Sequence, residues 1–509
     1  MDRRTLLASL AAGGSLLAGC SNRLSPATDD PDTPTVTPAP VGTGTPTESP
    51  NGDDGREWSL ASVVDLETVT RTYALGPTGY RSDDDARVEL GFTSTATVDS
   101  PATVRGSLTN AAEWANTFRL RETPPFGGTN RAGRIRDHSR DLTYRSNLVF
   151  VPTEANDLAD TVPEVELAED GTWRLAEPIS DTWGPETLRL NPDQTVEAEW
   201  YLVGRPEGVT KGRPTGTYEF RSGDTDLSVT VWDTDQPGPA VPRDVLDIAM
   251  PSLPHSEATD WYHEATPETP AYLEPSTQRL SLPGAVDLTL TNHTHGNLSG
   301  NSWNLYKRVD GKWFYLEPWG HTAVLRMIPP GGEREYHLRA FHRDPVPCDG
   351  ISVGNLGGGT YAFESMYGTD GDATADLGNF AALLDVEAPS VEIRPSPEAD
   401  LAVERDGDTV HVEWPRRPEL ERAELTVGRP DGTPTERLLP EQVLRSRNRG
   451  LRNTLAFFGD GVEEVVLTTD RNTVSFAAGA EGYTPASRPF TLLGENGQQA
   501  YVATATFGG

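Results

Sequence analysis

Nine histidines are scattered through this 509-residue chain, and histidine beside carboxylates is a frequent zinc ligand set. The densest such run, HSEATDWYHE, holds His255, Glu257, Asp260, His263 and Glu264. Its spacing follows no zinc signature, and its place after PRDVLDIAMPSLP suits a linker. His293 and His295 in NHTHGN read as a polar loop. The stretch YGTDGDATADLG puts Asp370, Asp372 and Asp376 in one loop, where clustered carboxylates suit calcium. It lacks the glycine and closing glutamate of an EF-hand. Cys348 in PVPCDG lacks the flanking His and Asn pattern of a thiol enzyme, so it reads as a loop thiol. The chain has no G-x-S-x-G elbow, no H-E-x-x-H, no phosphate-binding loop with its lysine and no dinucleotide fingerprint. Among 77 acidic residues nothing singles out a hydrolytic pair. No catalytic residue, cofactor or metal follows from these residues.

The first twenty residues carry a different kind of chemistry. Arg3 and Arg4 precede an apolar run from Thr5 to Leu16, too short to span a bilayer, and Leu17-Ala18-Gly19-Cys20 closes it. This order resembles a twin-arginine export signal joined to a lipobox. The resemblance implies export and lipid attachment to the thiol of Cys20, hence anchoring on the extracellular face of the cell membrane. Residues 21–57, rich in Thr, Pro, Ser, Gly and Asp, cannot bury a core and read as a disordered tether.

Charge narrows the partners. The net charge is −34, and Lys211, Lys307 and Lys312 are the only lysines. Without a cationic stripe to displace counterions, nucleic acid is excluded as a partner. Acidity spread evenly with Arg in place of Lys resembles the proteins of salt-in haloarchaea, where charge maintains solubility in concentrated salt.

The elements that would position any site are strands. GTYEFRS, Gly216 to Ser222, returns as GTYAFES, Gly359 to Ser365, with five of seven residues identical. Val286, Leu288 and Leu290 alternate with polar residues, as in a half-buried strand. Asp310-Gly311 sits between two alternating runs and predicts a type I′ hairpin. IPPGG, Ile328 to Gly332, is a turn before the alternating EREYHLRA. The order LTLTN, LYKR-x-DGKW, a Pro-Gly turn and GTY resembles a bacterial immunoglobulin-like domain of secreted and envelope proteins, over roughly Ser281 to Glu387. That likeness implies a β-sandwich and says little about activity.

In the upstream copy ATVRGSLTN, NTFRLRE, LNPDQTVEAEWYLVG and GTYEFRS follow the same plan, interrupted by an insertion between Thr123 and Thr187 that reads as a loop. After Pro389, DLAVERDGDTVHVEWP resembles the start of a fibronectin type III domain; RAELTVGRPDG and NTVSFAAGAEGY read as strands, and Pro440 to Phe458 as room for a helix. The expected fold is all-β: a signal at 1–20, a tether at 21–57, immunoglobulin-like sandwiches at 58–236 and 237–388, and a β-domain at 389–509.

Aromatic crowding at Trp303, Tyr306, Trp313, Tyr315 and Trp319 suits a sandwich core or a carbohydrate platform. Two glycosylation sequons, at Asn292 and Asn297, fall in one polar loop expected to be exposed. The expected function is binding, adhesion or envelope organisation by a lipid-anchored surface protein, with a protein or carbohydrate ligand. The alternatives are an exported hydrolase using carboxylates of the insertion, or a protease inhibitor acting through the first sandwich.

Overall fold

The computed structural model describes residues 61–64, 71–127, 134–137, 142–144, 148–169, 171–178, 183–206, 213–222, 225–237, 250–254, 256, 258–369, 379–415, 417, 420–494 and 497–507. The fold is all-β, with sandwiches rather than barrels in its first two domains, and its sheets follow the alternation in the sequence. In the second sandwich the strand Gly284–Asn292 buries Val286, Leu288 and Leu290, and Glu333–Ala340 buries Tyr336, Leu338 and Ala340. These two strands pair in a four-stranded sheet with Ala271–Pro275 and Ile351–Val353. A seven-stranded sheet centred on Leu298–Val309, Gly359–Thr369 and Asn379–Glu387 closes over it, with Leu305, Tyr361, Phe363 and Phe380 in the shared core. At the hairpin tip Asp310 and Gly311 both take positive φ, 50° and 75°, as a type I′ turn requires.

The first sandwich repeats this plan. Ala86–Ser94, Thr103–Asn110 and Thr195–Gly204 pair in one sheet, and Gly216–Ser222 with Thr225–Asp233 in the other. The GTY signature has the same physical content in both copies. Gly216 and Gly359 sit at φ of 138° and 133°, reached most easily without a Cβ. The hydroxyl of Tyr218 donates to the Pro214 carbonyl at 2.7 Å, and that of Tyr361 to the Gly357 carbonyl at 2.6 Å. Each tyrosine thus ties its strand to the turn four residues upstream, the arrangement of an immunoglobulin tyrosine corner.

A second signature is shared by Asn110 and Asn292, both fully buried. Asn292 Nδ2 donates to the Gly296 and Ile328 carbonyls, each at 2.9 Å, while Oδ1 accepts from the Thr294 amide. Asn110 Nδ2 donates to the Trp114 and Leu190 carbonyls, and its Oδ1 accepts from the Ala112 amide. The clamp spans 80 residues in the first copy and 36 in the second. The difference between these spans locates the insertion.

That insertion is not a free loop. Its described part includes Leu148–Pro152, a strand buried at every position that pairs with Thr195–Gly204 and extends the sheet. Val149 and Val151 pack there with Leu175, Trp183 and Val203. The expected match of NTFRLRE to the LYKR strand is also revised. Asn116–Arg119 pairs with Thr187–Leu190, as Leu298–Gly300 pairs with Arg326–Ile328 in the second copy, while Arg134–Asp137 from the insertion flanks the GTYEFRS strand.

The C-terminal domain corrects the fibronectin type III expectation. Its strands form a single seven-stranded mixed sheet, and helices stand where a sandwich would place a second sheet. Pro440–Val443 and Arg449–Leu455 occupy the stretch expected to hold a helix. NTVSFAA, expected as a strand, lies in the helix Arg471–Ala478. Asp470 caps its N-terminus by accepting from the Thr473 amide, Gly479 closes it at φ 63°, and Val474, Ala477 and Ala478 turn inward at helical spacing.

Replacing Asn292 by Ala removes these hydrogen bonds and leaves the buried Ile328 carbonyl unpaired, a cost of about 3 kcal/mol. Urea unfolding of Asn292→Ala followed by tryptophan fluorescence is expected to show a clearly lowered midpoint, with the exposed Asn297→Ala within about 0.5 kcal/mol of wild type.

Candidate functional site

The second sandwich carries an open cleft of about 780 Å³. Three backbone features build it, together with Gly350 and Ile351. The strand Leu298–Val309 delivers Asn301, Ser302 and Trp303 to one wall; the loop after Glu317 delivers Pro318, Gly320, His321 and Thr322; Glu333–Ala340 delivers Glu333 to His337. Trp303 is half-buried and lies nearly parallel to Phe363, 3° between planes. Asn301 Nδ2 donates to Thr322 Oγ1 at 3.0 Å, joining two walls. The Arg334 guanidinium stands over the Tyr336 ring at 5.4 Å.

Behind one wall lies a buried polar network. Glu364, in an otherwise largely apolar strand, is 1% exposed. Its carboxylate accepts from Asn304 Nδ2 at 2.6 Å, the Tyr306 hydroxyl at 2.9 Å and Asn379 Nδ2 at 3.0 Å. Burial, and then the Glu364 charge, push the Tyr306 phenol far above its ordinary range, so it stays a donor. Because Asn304 donates to Glu364 through Nδ2, its Oδ1 faces His321 Nε2, 2.8 Å away, as acceptor. A neutral His321 with its proton on Nε2 meets that acceptor and leaves Nδ1 as an acceptor of its own. The network fixes the position of a cleft residue.

The aromatic cluster read from the sequence is divided by the sheet. Tyr306 and Trp313 are buried on its outer face, where Trp313 stacks on Trp261 at 5.9 Å. Tyr315 packs edge-on against Tyr306. Trp319 is exposed and meets Phe476 of the C-terminal domain. Only Trp303 of the five lines the cleft. In sequence the charged positions of EREYHLRA show strand alternation alone. Glu333, Glu335 and His337 on one solvent face were the available signal for a site.

Cys20, Arg3, Arg4, His255, Glu257, Asp370, Asp372 and Asp376 lie outside the described residues. Among the described residues no three His, Cys, Asp or Glu side chains converge as metal ligands would. His293 and His295, expected in a solvated loop, form the joint between the two sandwiches. His293 stacks on Trp232 of the first sandwich at 4.9 Å, and His295 fills the space a Cβ on Gly76 would need. Neither ring nitrogen of His295 has a hydrogen-bond partner, and burial holds its pKa at about 4. The expected exposure of Asn292 does not hold either, because both Nδ2 hydrogens are committed to carbonyls. Asn297 is exposed.

No protein-family model matches the chain, and no curated protein matches it. Among solved structures, a polysaccharide lyase aligns with 65% of this chain and 40% of its own length, at 11% identity and a TM-score of 0.15. The chain thus spans less than half of that protein, and a superposition at this level carries no argument about activity.

Two outcomes follow from the loop that holds Asn292. Unfolded, a histidine binds a proton near pH 6.5; folded, His295 does so only near 4. Its contribution is therefore complete above pH 6.5 and lost as the pH falls toward 4, up to about 3 kcal/mol. Thermal melts at pH 7.5 and 4.5 are expected to show a smaller acid-induced loss for His295→Gln than for wild type. Peptide mass spectrometry of protein from its native host is expected to find Asn292 unmodified, with any glycan of this loop on Asn297.

Proposed function

We propose that the chain is a lipid-anchored protein of the outer cell surface whose immunoglobulin-like modules bind a ligand and catalyse no reaction. The cleft of the second sandwich carries this reading. It is a concave, largely polar site, and the chain that follows its Pro318–Thr322 wall exposes Val324, Leu325 and Met327. Attachment through Cys20 and a tether of 37 residues, 21–57, would hold this surface away from the membrane.

The hydrolase alternative is less well supported. It places its carboxylates in the Thr123–Thr187 insertion, and the small pocket beside the described part of that insertion, lined by Phe126, Asn156, Leu158, Trp183 and Trp200, has no carboxylate in its lining. Glycoside hydrolysis requires carboxyl groups flanking the scissile bond. The inhibitor alternative needs a protruding loop in the first sandwich, and Leu148–Pro152 of the insertion is instead a buried strand.

Anchoring is tested by Cys20→Ser expressed in the native host. The variant is expected in the culture medium, with wild type in the membrane fraction; retention of the variant on membranes refutes the lipid attachment.

A further inference from the structure

The lining of the cleft narrows the chemistry of its ligand, an inference that rests on reading the protein as a binding module. Its lining includes one guanidinium, Arg334, and two carboxylates, Glu333 and Glu335, which flank Arg334 along the strand and leave from the opposite face. A sulfated, phosphorylated or uronic ligand would be repelled by the carboxylates, and a cationic ligand would meet the guanidinium. An apolar ligand would leave the amide, hydroxyl and charged groups without water or partner, which is costly. A neutral polyhydroxylated ligand meets neither objection, since each hydroxyl both donates and accepts.

Two further features match that class. Trp303 has one face on Phe363 and lines the cleft, so its rigid indole is available to the C–H face of a sugar ring. Arg334 is held over Tyr336, yet its Nε has no hydrogen-bond partner and no carboxylate among the described residues pairs with it. That Nε is itself shielded from solvent, so it is the terminal nitrogens of the guanidinium that would reach a ligand. A neutral His321, positioned through the Glu364–Asn304 relay, adds an acceptor at Nδ1. The volume of about 780 Å³ lies within the roughly 300–1,000 Å³ of small-ligand sites.

We propose that this cleft binds a neutral oligosaccharide, with Trp303 as the stacking platform, Arg334 as donor, and Glu335 and His321 as hydroxyl acceptors. The test is calorimetric titration of the purified mature chain, in concentrated KCl and without membranes, with oligosaccharides from laminarin, galactomannan and dextran, and with acidic ones from alginate and polygalacturonate. At least one neutral series is expected to bind saturably, and the acidic series at least about tenfold more weakly. Trp303→Ala should weaken binding about tenfold, while Trp303→Phe keeps it within about threefold. Because Trp303 also touches the core, Glu335→Gln provides a second readout: its side chain is 64% exposed, and the variant should lose affinity about threefold with an unchanged melting temperature. Absence of binding to every neutral series, equal or tighter binding of the acidic series, or unchanged affinity in both Trp303→Ala and Glu335→Gln would overturn the proposal. Membrane attachment does not enter this measurement, so its outcome and that of Cys20→Ser are independent.

Discussion

The second sandwich depends on a buried side-chain amide. Asn292 ends one strand, and its four hydrogen-bonding positions reach the loop just after it and the end of the strand at Ile328. One side chain satisfies the Ile328 carbonyl and shares the Gly296 carbonyl with the Thr294 hydroxyl, which makes the connection specific as well as stabilising. Both ends of this clamp lead to surfaces that matter. The Asn292 loop places His293 and His295 against the first sandwich. The strand that follows begins at Leu298 and supplies Asn301 to Trp303, and the chain beyond Ile328 supplies Glu333 to His337. One amide therefore organises an interdomain joint and two walls of the cleft.

The other joint uses charge. Lys307, one of three lysines in the chain, pairs with Glu441 of the C-terminal domain with both side chains nearly buried. Nearby, Arg445 pairs with Glu317, Arg452 with Asp344, and the hairpin carboxylate of Asp310 with Arg437. Burial of Arg445 works against its charge, and Glu317, Tyr361 and Glu441 counter that cost. Desolvation offsets much of the attraction in such pairs, so they set which surfaces meet more than how tightly they hold. Lys307 also stands over the ring of Tyr361, the residue of the repeated GTY signature, so the joint is built on the most constrained strand of the sandwich.

A polar network within the sheet performs a related task for the cleft. Glu364, Asn304 and Tyr306 satisfy one another behind the wall, and the last bond in the chain holds His321. A surface histidine on a loop would otherwise sample several rotamers. Here its orientation is inherited from a buried carboxylate.

Much of the architecture was legible in short-range chemistry. Alternation at Val286, Leu288 and Leu290 identified a half-buried strand, and Asp310-Gly311 specified a type I′ turn, because these depend on side-chain period and backbone φ alone. The repeated heptapeptide marked the duplication for the same reason, its glycine and tyrosine serving a local turn. The helix Arg471–Ala478 was also locally encoded, by Asp470 and Gly479 as caps, although its Val and Phe content resembled a strand. What neighbours in sequence could not decide is burial and convergence. Asn292 and His295 sit in a run that reads as solvated, yet the Asn292 side chain and the His295 ring nitrogens are shielded because Ile328, 36 residues downstream, and Gly76, in another domain, close over them. The cleft joins side chains from Asn301 to Ile351 that share no local pattern. Its walls meet only when strand pairing across two sheets brings those segments to one place, and that pairing is a property of the tertiary fold.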